Sequence, residues 1–324
     1  MCAKRVSRKA ATKAKPKAKA KPKTRPKAKA SAKLASIDPM KPVPVPQQAP
    51  AKEGMAQLPD GGRLFYWDTG GKGPVVLFSH PASQSALIWL YQQPVFVKAG
   101  YRVVAYSRRS YYGSDPINAE DPGYAADDLY TLTEYLGIKK FHGVGCAAGG
   151  GVLAQFAVSY PEKLLSVTVS SNSFGVGEGY IADIADRVRP HETWEELPRW
   201  FRELGPSYRA ANEEGQKLWD ELEEKSGGRT AGRQKSKNKI TPQTLEGLKI
   251  PVLMMAGDCD MSTPASLLRM SASHIKNCEV RIIHEAGHSP YWEQPEIFNS
   301  TILNFIKDRK STRLNSSHVS ESRM

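Results

Sequence analysis

Short runs rich in β-branched and apolar residues alternate with stretches of helical apolar spacing from Met55 onward, and this alternation constrains the fold most strongly. The later apolar runs are nearly continuous, as expected of strands that are covered on both faces of a sheet. Strand–helix–strand repetition predicts a mostly parallel sheet with helices on both faces. The predicted strands span residues 64–69, 75–79, 102–107, 141–144, 165–171, 251–257 and 280–283, and the predicted helices span residues 87–99, 125–136 and 152–160.

Residues 1–54 differ in composition from the rest of the chain. They hold 16 basic and 2 acidic residues, so they account for the net charge of +13 of the whole chain. Lysine, alanine and proline alternate there with too few apolar side chains to offset the entropy of ordering, which predicts a disordered tail that ends in an extended spacer over residues 42–50. The tail has two interpretations: a solvated extension, or a weak contact to nucleic acid or another polyanion combined with a nuclear localisation signal.

Several classes of protein are excluded by features that the sequence lacks. A secretory signal and a membrane span both need long apolar stretches, and no window provides one. The four cysteines, Cys2, Cys146, Cys259 and Cys278, are scattered, which argues against a disulfide framework and a zinc site. No glycine-rich phosphate loop occurs, so no nucleotide cofactor is implied. We therefore expect an intracellular protein, cytoplasmic or nuclear, that uses neither a metal nor a cofactor.

A predicted insertion interrupts the alternation over residues 173–247. This interval contains no clear strand and carries aromatic residues on helix-like stretches, which predicts a helical cap. A cap at the strand ends would shape a pocket, because open α/β sheets bind ligands there. The sheet-forming domain then comprises residues 55–172 and 248–309. Residues 310–324 lack a periodic apolar pattern and are interpreted as a disordered or non-native end.

A sharp turn between a strand and a helix is predicted by the sequence FHGVGCAAGG, which spans Phe141–Gly150. Such a turn needs very small residues two positions before and two positions after its centre, because Cβ atoms there would clash. Gly145 and Gly149 meet that requirement around Ala147. The pattern is typical of a nucleophile elbow, which exposes one side chain at the end of a sheet.

Four further segments accompany this turn: SHPAS at 79–83, YSRRSYYGSD at 106–115, GDCD at 257–260 and EAGH at 285–288. In this order and spacing, the turn and these segments resemble the α/β-hydrolase superfamily, and the resemblance extends from about Gly62 to Ile306 apart from the insertion. It implies an α/β-hydrolase fold, with a mostly parallel sheet, flanking helices and a helical cap. It also implies an enzyme, a hydrolase or lyase, that acts on a small-molecule carbonyl substrate.

The resemblance also implies the residues of an active site. Asp260 stands where the family has its triad acid and His288 where it has the base, and a carboxylate that accepts the imidazole Nδ1 proton fixes the tautomer. By position, the backbone N–H groups of Ala82 and Ala148 would form the oxyanion hole. Ala147 occupies the position of the nucleophilic serine, so the usual acyl-enzyme route has no attacking atom.

Three explanations for Ala147 remain open. It could be an introduced serine-to-alanine change, it could mark a pseudoenzyme that keeps the pocket for binding, or it could be native to a branch with a GxAAGG elbow. In the last case His288 and Asp260 would act as a general base on water or on the substrate. Cys146 is an alternative nucleophile, but centring the turn on it would place Val144 where a minimal side chain is needed. A buried structural thiol is therefore favoured.

Four more residues are candidates for the substrate pocket: His80, Ser83, Arg108 and Trp292. Arg108 could hold an anionic substrate or stabilise its own loop. Ser83 could approach the pocket or serve as a turn residue, and Trp292 could line the pocket or fill the core. The leading hypothesis is hydrolysis of a small ester, lactone or C–C bonded carbonyl compound. The alternative is a non-catalytic ligand- or partner-binding protein of the same fold.

Overall fold

The computed structural model describes residues 41–188, 193–228 and 232–307. The predictions made for residues 1–40 and 310–324 lie outside these described ranges. Within the described ranges, no helix is both long enough and apolar enough to cross a membrane.

An eight-stranded sheet forms the centre of the fold, with the seven predicted strands and one further strand at its edge. The strands are β1 Lys52–Gln57, β2 Arg63–Asp68, β3 Val75–Ser79, β4 Arg102–Tyr106, β5 Phe141–Cys146, β6 Leu164–Ser170, β7 Val252–Gly257 and β8 Cys278–Ile283. Their order across the sheet is β1-β2-β4-β3-β5-β6-β7-β8. β2 pairs antiparallel with β1 and β4, and all other neighbours pair parallel. The prediction of a mostly parallel sheet is confirmed, and the ends of the predicted strands shift by at most two residues.

Helices fill the connections between the strands. They are α1 Gln93–Lys98, α2 Ala125–Tyr135, α3 Ala148–Ser159, α4 Tyr180–Val188, α5 Arg199–Glu203, α6 Pro206–Ala211, α7 Glu213–Ser226, α8 Pro242–Glu246, α9 Ala265–Ala272, α10 Pro290–Glu293 and α11 over residues 295–307. Three short 3-10 helices, Ala86–Tyr91, Pro161–Lys163 and Trp194–Glu196, accompany them.

Apolar side chains of successive strand residues enter two cores, one on each face of the sheet. In β3, for example, Leu77 belongs to one core, whereas Val76 and Phe78 belong to the other. Helices α2, α3 and α9 contribute to the first core, and α1 and α11 contribute to the second. Both faces of the sheet are therefore covered, which leaves the carboxyl ends of the parallel strands as the place where a site can form.

The domain begins earlier than the predicted boundary at Met55. β1 starts at Lys52 and pairs along its whole length with β2. The proline-rich segment before it is held against α1, because Ala49 and Gln93 exchange two hydrogen bonds of 2.7 and 2.8 Å. The prediction of a disordered tail is therefore wrong for residues 52–54, which belong to β1, whereas residues 42–50 contain neither helix nor strand. Local composition could not reveal an anchor that lies more than 40 residues away in sequence.

Two predicted helices differ in detail from the structure. The predicted helix over residues 87–99 is divided into the 3-10 helix Ala86–Tyr91 and α1, with a non-helical ψ of 33° at Trp89. Pro94 lies in the first turn of α1, where its missing N–H costs nothing, so a new helix starts there. α3 begins directly after Ala147, four residues before the predicted start, because close packing rather than propensity selects the glycines of its first turn.

The interval predicted to be a helical cap lies between β6 and β7. Its described residues form α4 to α8 and the 3-10 helix Trp194–Glu196, and none of them belongs to a strand of the sheet. Trp219 of α7 is fully buried in the core that α1 and α11 share. Because the interval starts after the carboxyl end of β6, it is positioned beside the edge of the sheet where the elbow turn also lies.

Candidate active site

The elbow turn that joins β5 to α3 has the geometry that its glycines predict. Ala147 adopts φ of 47° and ψ of −116°, a backbone conformation that residues with a side chain rarely adopt. A Cβ on Gly145 would lie 2.5 Å from the carbonyl oxygen of Gly149, and a Cβ on Gly149 would overlap the carbonyl oxygen of Ser79. Both positions therefore require glycine, and the turn presents the side chain of residue 147 at the end of the sheet.

His288 and Asp260 come together beyond the carboxyl ends of β8 and β7. The Nδ1 atom of His288 lies 2.9 Å from both carboxylate oxygens of Asp260. The backbone N–H groups of Ser262 and Thr263 each donate to Asp260 Oδ1 at 2.8 Å. These bonds fix the position of the carboxylate, which in turn keeps the imidazole proton on Nδ1 and leaves Nε2 to act on a ligand.

The protonation state of His288 is set by effects that oppose each other. Burial alone would lower the pKa of His288, but the charge of Asp260 and the hydrogen bond to it act in the other direction, with additional contributions from Glu203 and Glu293. The sum raises the pKa of His288 from 6.5 to about 9. At neutral pH the ring is therefore mainly protonated, and it becomes an effective base only as the pH approaches 9.

A cavity of about 630 Å³ contains the elbow position and the histidine. It is lined by Ala147 and His288 together with Ala82 and Ala148. Among the described residues, no acceptor receives a hydrogen bond from the backbone N–H of Ala82 or Ala148. The cavity thus brings together the His288 imidazole, two backbone N–H groups and an elbow position without a nucleophilic atom. Such an arrangement can polarise a carbonyl group and transfer a proton.

The loop that carries Ala82 is held by three side chains. Tyr111 Oη donates to the carbonyl oxygen of Ala82 at 3.1 Å, and Arg199 Nη1 donates to the same oxygen at 3.2 Å. Arg108 Nη2 donates to the carbonyl oxygen of Pro81 at 3.1 Å. Arg108 also lines the cavity, with its guanidinium 4.7 Å from the centre of the Tyr111 ring. Arg108 therefore stabilises the loop and borders the cavity at the same time.

Two of the predicted pocket residues belong to the core instead. His80 is fully buried, with Nδ1 bonded to the Pro81 carbonyl at 2.7 Å and Nε2 accepting from the Arg108 N–H at 3.0 Å. Burial lowers the pKa of His80 well below 6.5, so the ring is neutral. Trp292 is 1% exposed and packs on Tyr91, with ring centroids 5.1 Å apart. Neither ring lines the cavity. Trp292 agrees with the alternative that it fills the core, and the expectation of a pocket role for His80 is corrected to a buried contact with the loop.

Glu203 is a cavity residue that the sequence patterns did not indicate. The hydroxyl of Ser83, which is buried and does not line the cavity, donates to Glu203 Oε2 at 2.7 Å. The prediction that Ser83 approaches the pocket is thus corrected to an indirect contact through Glu203. The Glu203 carbonyl accepts the backbone N–H groups of His288 at 2.7 Å and Ser289 at 3.1 Å. Burial raises the pKa of the Glu203 carboxyl, which lies next to the histidine base.

Glu293 fastens the insertion to the loop that carries His288. Its buried carboxylate accepts the backbone N–H of Gly205 at 2.6 Å, of Gly287 at 3.0 Å and of Ser289 at 3.1 Å. We call this set of bonds the Glu293 clamp. Burial raises the pKa of Glu293 to about 7, against the effect of these N–H donors. The sequence patterns did not indicate Glu293 either, although it follows His288 by only five residues. Glu203 lies in the short helix α5, which carries no motif.

Cys146 is fully buried in the core that contains α1 and does not line the cavity. Burial raises the pKa of its thiol far above neutrality, so the thiolate that could attack a substrate does not form. These observations agree with the structural interpretation of this cysteine.

A family model, characterised proteins and solved structures each match most of this chain. A sequence model of the alpha/beta hydrolase family matches residues 76–301. The bifunctional esterase/perhydrolase of Acinetobacter calcoaceticus is 26% identical over 280 residues, which cover 78% of this chain and 99% of that protein. The 3-oxoadipate enol-lactonase 1 of Acinetobacter baylyi is 26% identical over 246 residues, which cover 72% of this chain and 89% of that protein. The solved structure of a thermophilic esterase from Thermogutta terrifontis matches with a TM-score of 0.65 at 23% identity, covering 81% of this chain and 99% of that one.

Proposed function

Because this chain belongs to the alpha/beta hydrolase family, we propose that it is an enzyme that cleaves a small ester, lactone or C–C bonded carbonyl compound with water. The observation that carries the proposal is the contact of His288 with Asp260 at 2.9 Å, on the cavity that Ala82 and Ala148 also line. The relatives named as an esterase/perhydrolase and an enol-lactonase support this class of reaction.

In the proposed reaction, His288 acts as a general base on a water molecule. The neutral imidazole takes a proton from water at Nε2 while the water oxygen attacks the carbonyl carbon of the substrate. The N–H groups of Ala82 and Ala148 donate to the oxyanion of the tetrahedral intermediate. The carbonyl bond then re-forms, the bond to the leaving group breaks, and the leaving group takes the proton back from His288. Asp260 stabilises the imidazolium that exists between these two transfers.

The backbone at Ala147 supports a site in which the elbow still presents residue 147 to the cavity. A non-glycine residue in such a conformation costs about 1–3 kcal/mol and persists only where the surrounding structure imposes it. The close contacts of Gly145 with Gly149 and of Gly149 with Ser79 impose this conformation on the turn. The missing hydroxyl then makes room on the cavity side for the attacking water.

The test compares the full-length chain with two histidine variants on a panel of para-nitrophenyl esters, lactones and diketones. We expect turnover by the unchanged chain and a loss of about 10²- to 10⁴-fold in His288→Ala, the usual contribution of general base catalysis. His284→Ala is the matched control, because His284 pairs with Asp258 on the same stretch of chain but its side chain is 84% exposed and does not line the cavity.

Equal turnover by the His288 variant and the unchanged chain would refute the mechanism. The alternative function, a ligand-binding protein without catalysis, predicts a different pattern. It requires saturable binding of a small carbonyl compound that His288→Ala leaves intact, with no product formed by any variant.

A further inference from the structure

Basic side chains dominate the charged lining of the cavity. Four of them are neutralised by nearby carboxylates: Arg109 by Asp60 and Asp128, Arg199 by Glu223, Arg202 by Glu195 and Lys237 by Asp127. Arg108, Arg233 and Lys235 also line the cavity, and within the described ranges none of the three has a carboxylate at ion-pair distance. Among the described acidic residues of the lining, Glu203 has no such partner, so cations are in excess there.

Arg108 places its charge next to the candidate oxyanion hole. Its Nη2 atom donates to the carbonyl oxygens of Pro81 at 3.1 Å and His80 at 3.3 Å, which fixes the guanidinium beside Ala82. Its Nε–H is buried and finds no acceptor among the described residues. Buried donors of charged groups are costly to leave unpaired, so a ligand that accepts hydrogen bonds here would be favoured.

Arg233 and Lys235 are carried by a segment that is tied down on the core. Between these two residues, Gln234 Nε2 donates to Asp128 Oδ2 at 2.8 Å, and the backbone of Lys235 forms a β-bridge with Tyr124. The segment therefore holds two exposed cations at fixed places on the cavity wall. Exposed cations at a cleft attract anionic ligands and also increase their rate of association.

From this excess of fixed cations we infer that the substrate carries a carboxylate, which Arg108 binds inside the cavity while Arg233 and Lys235 attract it at the wall. The inference rests on the proposed function, because it names the substrate class of the same site. A structural role alone accounts for the bonds of Arg108 to the loop carbonyls, but it gives no reason for two further unpaired cations on the same cavity.

The test uses two substrates of equal length that differ in one charge. Mono-para-nitrophenyl succinate ends in a carboxylate, whereas para-nitrophenyl butyrate ends in a methyl group. We expect the full-length chain to have the higher kcat/KM for the succinate ester, and added salt to raise KM for that ester only. Lys235→Ala should lower this preference by about two- to fivefold, the effect of one exposed charge. Arg108→Gln should lower it by about tenfold or more.

Lys239→Ala is the matched control for Lys235→Ala. Lys239 lies on the same segment, is 82% exposed and pairs with Glu178, but does not line the cavity. Its substitution should leave the ratio of the two kcat/KM values unchanged. Equal kcat/KM for the two esters in the unchanged chain, or equal effects of the two lysine substitutions, would overturn the inference.

Failure of the proposed function gives a different result from failure of this inference. If neither these two esters nor any ester, lactone or diketone of the panel is cleaved, the proposed function fails, and calorimetric titration with monoethyl succinate and with uncharged diethyl succinate then tests the inference by itself. Tighter, salt-sensitive binding of the anionic ester that Lys235→Ala weakens would support it. Equal binding of the two compounds would overturn it.

Discussion

Substituting Ala147→Ser should supply a nucleophile to the active site that we propose around His288 and Asp260. The backbone at residue 147 already holds a Cβ at φ of 47°, so the serine adds one oxygen atom and no new backbone strain. Because residue 147 lines the cavity, the hydroxyl has space, and we expect the free energy of unfolding to change by no more than about 0.5 kcal/mol.

The size of the effect follows from the pKa of His288. With a pKa of about 9, roughly 1% of the imidazole is neutral at pH 7 and half of it is neutral at pH 9. Activation of the serine by the neutral ring should therefore make acylation about 50-fold faster at pH 9 than at pH 7. At the higher pH, Ala147→Ser should react about 10²- to 10⁴-fold faster than the double variant that also carries His288→Ala.

The assay is stopped-flow release of para-nitrophenol from para-nitrophenyl acetate. Acyl-enzyme formation predicts an initial burst of about one equivalent per chain, followed by slower turnover. A folded Ala147→Ser protein that shows neither a burst nor faster release than the unchanged chain at pH 9 would refute the assignment of the elbow to the active site. A burst that does not depend on His288 would refute the assignment of the base.

Three further outcomes are expected. In the unchanged chain, kcat/KM should rise with pH and level off above about 9, because only neutral His288 accepts a proton; a profile that is flat from pH 6 to 10 would contradict this role. Gly149→Ala should destabilise the fold by about 3 kcal/mol or more in chemical denaturation, since its methyl group would overlap the Ser79 carbonyl. The control Gly151→Ala, whose methyl group would come no closer than 3.7 Å to its nearest neighbour, should be neutral or stabilising. Ala147→Gly should raise the melting temperature by a few degrees, because relief of about 1–3 kcal/mol of strain exceeds the entropic cost of glycine, and an unchanged or lower value would argue against strain.

The parts of the fold that could be predicted from the sequence depend on short-range patterns. Seven of the eight strands were identifiable as short runs rich in apolar and β-branched residues, whereas β1, with the sequence KEGMAQ, was not predicted. Parallel pairing follows from the helices between the strands. The glycines of the elbow were identifiable because the clash that excludes other residues acts within the turn itself or on β3 next to it. Membership of the alpha/beta hydrolase family, expected from the order of the motifs, is confirmed.

The parts that could not be predicted depend on contacts between distant segments. The role of His80 was misjudged because its motif gives its position on the loop, whereas the Arg108 N–H that binds its ring lies 28 positions away in the sequence. Glu203 was not predicted because its contacts are to Ser83 and His288, which are close in space but 120 and 85 positions away in the sequence. The anchoring of the segment around Ala49 was missed for the same reason.

The Glu293 clamp limits how much of the insertion can be exchanged with that of a relative in order to change substrate specificity. Replacing residues 173–247 as a block with the corresponding stretch of a relative would remove Gly205 and the carbonyl of residue 203, and so release the loop that carries His288. A chimera that keeps residues 199–208 of this chain would preserve those contacts while changing the remaining wall of the cavity. Residues 199–208 therefore form the boundary of any such exchange: the insertion around them can be replaced, whereas they must stay with the loop that carries His288.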